Sequence, residues 1–197
     1  MNSLEQLISI AIYSFVMTIT PGPNNIMIMA SGLNFGIKKS IPHLLGIAFG
    51  FPLMLVLVGY GLIELINSSR YLYYSIKVFS FTYLTYLAYR MATTGDIKSG
   101  SVGSKPLSFF QSFFFQWANP KAWIMIVGGV GIFVSEQNID SAYLVLAFAF
   151  FLMIFICTGA WLFMGSKLQK IIKNKNQVMW FNRMMAVLLL LSVLPAV

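Results

Sequence analysis

Apolar residues run along this chain in stretches long enough to cross a bilayer, which takes about 20 helical residues. They cover 4–32, 41–66, 71–92, 107–134, 142–165 and 178–197, and so predict six membrane-spanning helices. Two of the six are interrupted. Thr20-Pro21-Gly22-Pro23-Asn24-Asn25 cuts the first, and Gln116-Trp117-Ala118-Asn119-Pro120-Lys121 cuts the fourth. In the first, two prolines and a glycine remove backbone donors and cannot continue a regular helix. Unsatisfied backbone is costly in hydrocarbon, so such a break survives only when buried in protein or facing a cavity.

The segment 93–106 is rich in Gly, Ser and charge and reads as a linker. It divides one integral membrane domain into 1–92 and 107–197, each with three spans. An odd number of spans per half makes the second half run opposite to the first. The expected fold is therefore an all-α membrane protein, a 3+3 inverted repeat with helices 1 and 4 broken mid-membrane. Paired breaks in corresponding positions of two such halves point to a transporter's substrate site. Gly46-Ile47-Ala48-Phe49-Gly50 is a Gly-x-x-x-Gly pattern that lets two helix backbones approach. Internal packing and dimerisation explain it equally well.

Composition excludes a soluble domain: 58% of the 197 residues are hydrophobic and 9% charged. The net charge of +8 raises nucleic acid as a partner, but its distribution argues against that. Lys38, Lys39, Arg90, Lys98, Lys105, Lys167, Lys170, Lys173, Lys175 and Arg183 all fall on one side of the predicted spans. The other side has Arg70 with Glu5, Glu64, Glu136 and Asp140. By the positive-inside rule the basic side is cytoplasmic, which puts both termini outside. The basic excess then sets topology against the lipid bilayer. The N-terminus has no basic region followed by a cleavage signal, so it is expected to remain as the first span. Tyr71, Tyr73, Tyr74 and Trp180 suit interfacial anchors. The single cysteine, Cys157, reads as a packing residue.

The breaks carry the chemistry. Pro23 after Gly22, and Pro120 after an Asn119 cap, each suit the first turn of a new half-helix. Two half-helix N-termini meeting in mid-membrane offer N–H groups and positive dipole ends to a carboxylate. The carbonyls ending the preceding half-helices suit an ammonium. Both together fit a zwitterion, an amino acid. The substrate-binding candidates are thus Pro21, Gly22, Pro23, Asn24, Asn25, Gln116, Asn119, Pro120 and Lys121. The structural alternative is that these groups only satisfy the broken backbone.

Lys121 is the deepest ionisable residue, roughly 20 Å along the fourth helix from its start, and needs a partner or a wet cavity there. It suits a substrate carboxylate or proton exchange. Lys77 and His43 complete the proton-coupling candidates, although Lys77 can snorkel outward and a histidine so placed is more often an interfacial residue. Glu64 is a solvated charge or a partner for Arg70. No carboxylate lies mid-membrane, where proton carriers are usual. Met27, Met29 and Met125 near the breaks raise a soft-metal cargo, but one Cys and one His argue against a selective metal site. Neither a nucleophile–base pair nor a phosphate loop marks an enzyme, and no cofactor is implied.

With the first break in place, Gly32, Gly36, Lys38-Lys39, Gly46, Gly50, Ile76-Lys77, Tyr83-Leu84 and Lys105-Pro106 through Asn119-Pro120-Lys121 extend a pattern over nearly the whole chain. It resembles the LysE/RhtB family of amino-acid exporters. Pro21-Gly22-Pro23-Asn24-Asn25-Ile26, with Phe51 after Gly50, is similar to the branch exporting cysteine and O-acetylserine. The resemblance implies an exporter of amino acids or derivatives in a bacterial cytoplasmic membrane, driven by the proton gradient, and a homodimer. Phe51 stands where many members carry Asp, which bears on proton coupling. Ser80 and Ala88 stand where glycines are common.

Overall fold

The computed structural model describes residues 3–62, 69–94, 105–134, 139–172 and 174–192. Among them every regular element is helical. In chain order these are α1 (Ser3–Ile19), α2 (Pro23–Leu57), α3 (Arg70–Thr93), α4 (Phe109–Ala118), α5 (Pro120–Phe133), α6 (Ile139–Met153), α7 (Gly159–Ile171) and α8 (Lys175–Leu191). A π-helical turn, Val58–Leu62, extends α2, and another, Ile154–Thr158, joins α6 to α7. Two helical stretches, Pro23–Gly61 and Ser141–Ile171, are by length and composition apolar enough to cross a membrane, while Leu4–Ile19 and Pro120–Phe133 are shorter apolar helices. Glu64, the linker residues 95–104, Lys173 and the side chain of Tyr73 lie outside the described residues.

Where the hydropathy pattern predicts a connection between the first two spans, α2 is two helical arms that meet at a kink. Gly36, at φ 76° and ψ 174°, makes the bend. That left-handed φ strains any residue with a Cβ, so glycine is required. The hydroxyls of Ser31 and Ser40 meet at 2.7 Å and hold the two arms together across it.

The α2 helix runs through the middle, against α4, α6, α7 and α8. Two apolar clusters form on either side of the bend. Ile47, Phe51 and Met54 of the second arm pack with Ile10 of α1, Ile126 of α5 and Leu146 and Phe150 of α6. Ile26 and Ala30 of the first arm pack with Leu84 and Leu87 of α3, Phe115 of α4 and Leu189 of α8. Small residues set the closest crossings. A Cβ on Gly165 would strike the Met29 carbonyl, and one on Gly32 the Leu162 carbonyl. The Gly46 and Gly50 pair faces Phe109, Ser112 and Phe113 of α4, so internal packing accounts for it. Tyr71, Tyr74 and Trp180 are exposed on the surface.

Candidate functional site

The two polar interruptions come together. Helix stops at Ile19 and resumes at Pro23, with Gly22 as N-cap and proline in the first turn. It stops again at Ala118 and resumes at Pro120, where the Asn119 side chain accepts from the Lys121 N–H at 3.2 Å. Across the gap, the aliphatic stem of Lys121 lies on Gly22. A Cβ there would come within 2.5 Å of Lys121 Cδ. Gly22 has an extended backbone, φ −179°, so its requirement for glycine is one of space rather than of dihedral angle.

Each carbonyl left at the end of α1 has a side-chain donor. Asn25 Nδ2 donates to the Thr18 carbonyl at 2.7 Å and to the Thr20 carbonyl at 2.9 Å. Trp161 Nε1, from α7, donates to the Ile19 carbonyl at 3.0 Å. The Lys121 ammonium donates to the Thr20 carbonyl and hydroxyl, both at 2.8 Å, and to the Pro21 carbonyl at 3.3 Å. The sequence pattern leaves these carbonyls bare for an incoming ammonium. In the fold an ammonium already occupies them, and it is the protein's own.

A second set of bonds fixes the first turn of α2. Asn24 and Gln116 exchange amide hydrogen bonds at 2.8 and 3.2 Å, and Gln116 also donates to the Ser112 carbonyl at 2.9 Å. Asn25 Oδ1 accepts from the Thr158 hydroxyl at 3.1 Å. Thr158 closes the π-helical turn Ile154–Thr158, an irregularity that re-aims side chains at functional sites.

A partly open cavity of about 30 Å³ lies where the two breaks meet. A water needs roughly 10–15 Å³, so the site has space for a few water-sized groups. Thr18, Gly22, Asn24, Asn25, Asn119 and Lys121 provide its polar wall and Met17, Phe51, Met125 and Ile154 its apolar one. The Thr18 hydroxyl is buried there without a hydrogen-bond partner. Of the predicted substrate residues, Pro21, Pro23, Gln116 and Pro120 do not line the cavity. The prolines shape the breaks, and Gln116 holds Asn24.

The three proton-coupling candidates are dispersed. Lys121 is in this cavity, His43 lines a different one beside the α2 bend, and Lys77 lines neither. Met27 and Met125 also line separate cavities, and among the described residues no three His, Cys, Asp or Glu side chains cluster as metal ligands. Thr158 and Trp161 were not legible as site residues, because only packing of α6 and α7 on the first break brings them there; Thr18 lies in α1 just before that break and was passed over. The nearest sequence signal was polar character within apolar helices.

A family model described as LysE type translocator matches residues 15–193. The chain belongs to that family. LysE translocators are bacterial membrane proteins, which agrees with the apolar helices described above. The chain is similar to the cysteine/O-acetylserine efflux proteins of Escherichia coli (strain K12) and Shigella flexneri serotype 5b (strain 8401), with 29% identity over 129 residues in each case. The match spans 64% of this chain and 64% of each relative. No solved structure matches the chain.

Proposed function

We propose that this LysE-family protein is a secondary transporter exporting small neutral or polar amino acids or their derivatives. Homoserine, threonine, cysteine and O-acetylserine are the substrates in view, the last two because the relatives are named for their efflux. The observation that carries the reading is the meeting of both helix breaks at one cavity, with Lys121 on the carbonyls of Thr20 and Pro21.

In the substrate-free state, Lys121 holds the place that suits a substrate ammonium. On binding, the substrate's ammonium takes the α1 carbonyls and the Lys121 ammonium turns to the substrate's carboxylate. The exchange leaves each ammonium hydrogen-bonded at both ends of the step, to backbone carbonyls or to a carboxylate, which matters where desolvated charge is expensive. Thr18 supplies a further hydroxyl, and Phe51 limits side-chain size. Release on the far side lets Lys121 return to Thr20.

The topology proposed with this mechanism is six spans as a 3+3 inverted repeat, with spans 1 and 4 broken in mid-membrane. Both termini face outward from the bacterial cytoplasmic membrane. Export is coupled to the proton gradient, and the transporter is a homodimer. An uncoupled facilitator is the competing reading, favoured by the absence of any carboxylate among the residues lining the cavity.

The test is efflux from proteoliposomes loaded with a mixture of amino acids, with and without a proton gradient. Selective release that the gradient accelerates supports the coupled exporter, and gradient-independent release supports the facilitator. No release from folded, correctly inserted protein overturns both.

A further inference from the structure

A second cavity, of about 60 Å³, lies beside the bend in α2 and shares no lining residue with the central one. Ser31 and Asn34 line it from the arm before Gly36 and His43 from the arm after. Arg90 of α3, Thr94 just beyond its end, and Lys105 ahead of α4 complete its polar wall. Most of these groups are already satisfied. Ser31 bonds to Ser40 at 2.7 Å. Asn34 and Asn182 exchange amide bonds at 2.7 and 2.9 Å, and Asn182 also donates to the Thr94 carbonyl at 2.9 Å.

His43 is the exception. Its side chain is 1% exposed, and neither ring nitrogen has a hydrogen-bond partner. A neutral imidazole has one donor and one acceptor to satisfy. Leaving both unmet in a packed interior is costly, so such a group calls for a specific explanation. Here the explanation is at hand, since the unpartnered ring lines a space large enough for a small polar group.

The wall indicates which group. Its charged residues are Arg90 and Lys105, both cationic, and no lining residue carries a carboxylate. Arg90 donates to the Lys105 carbonyl at 3.5 Å, and its guanidinium lies 5.9 Å from the centre of the Tyr86 ring. Cationic groups beside an imidazole N–H suit a carboxylate through charge-assisted hydrogen bonds. The remaining ring nitrogen accepts from an ammonium or hydroxyl.

We infer that His43, Arg90 and Lys105 form an outlying binding site for the carboxylate of an α-amino acid, occupied before the substrate reaches Lys121. The inference rests on the amino-acid reading proposed above and adds a waiting position to it.

His43 is the only histidine in the chain, so ring-labelled histidine reports this site alone by NMR. The experiment titrates the full-length Lys121→Ala variant in nanodiscs with O-acetylserine, with its methyl ester and with sodium acetate. O-acetylserine and acetate are expected to shift the ring nitrogens saturably. The methyl ester, and separately Arg90→Gln, should weaken the response by roughly tenfold or more, the loss of one charge-assisted bond. No saturable shift with either carboxylate, or an equal response to the ester, overturns the inference.

Efflux measured alongside separates the two readings. If wild-type vesicles release O-acetylserine while the His43 signals never move, the outlying site is wrong and the central one stands. If no vesicle releases amino acid yet both carboxylates shift the signals, the export reading falls and carboxylate binding at His43 stands.

Discussion

The Lys121 ammonium donates to the Thr20 carbonyl at 2.8 Å and thereby joins the start of α5 to the end of α1. The contact spans 101 positions of sequence. It gives Lys121 two duties, satisfying freed backbone and presenting a charge beside the cavity. Removing the ammonium tests both. Lys121→Met keeps the stem on Gly22 and loses the charge, and is expected to cut amino-acid efflux by roughly 10–100-fold, the value of a hydrogen bond to a charged group. The measurement is initial efflux rate from proteoliposomes, with size-exclusion behaviour as the folding check. Wild-type rates in Lys121→Met would remove the residue from the mechanism.

Gly22→Ala tests the same contact from the other side. The added methyl meets Lys121 Cδ at 2.5 Å and displaces the side chain from Thr20, while the extended backbone at Gly22 tolerates alanine. Efflux should fall by roughly tenfold on its own and hardly at all when added to Lys121→Met with its own shift in the stem, because residues in direct contact are not additive. Fully additive losses would show that Gly22 acts through something other than Lys121.

The Asn24–Gln116 exchange is expected to behave as a unit. Asn24→Leu or Gln116→Leu strands one buried amide and should cost about 1–3 kcal/mol in stability. The double substitution should cost less than the sum of the two. Unfolding of all four proteins in mixed micelles measures the cycle, and a coupling energy of zero would contradict the geometry.

Phe51 is buried in the core and also lines the central cavity. Phe51→Leu removes part of the ring and should widen the accepted side chains towards larger amino acids, with a stability loss of about 1–3 kcal/mol from the partial cavity. Competition of larger amino acids against labelled O-acetylserine efflux reads the change. An unaltered preference would take Phe51 out of size selection.

How far the sequence reached depended on the range of the interaction. The cap at Asn119, the first-turn prolines Pro23 and Pro120, and the helical character of the apolar runs were determined by residues within a turn of one another, so local chemistry was enough. Gly36 shows where that stops. Glycine and two lysines read as a connection, and the helix is interrupted at Gly36, but only the tertiary structure decides how short the interruption is and that Ser31 meets Ser40 across it. The site divides in the same way. The sequence singled out Lys121, Asn24 and Asn25 as polar groups that apolar surroundings must satisfy. Only the tertiary structure decided that Lys121 reaches Thr20, that Trp161 and Thr158 serve the first break, and that His43 stands apart at a second cavity. Those outcomes depend on helices distant in sequence crossing at Gly32 and Gly165, and no local pattern encodes which carbonyl a side chain will meet.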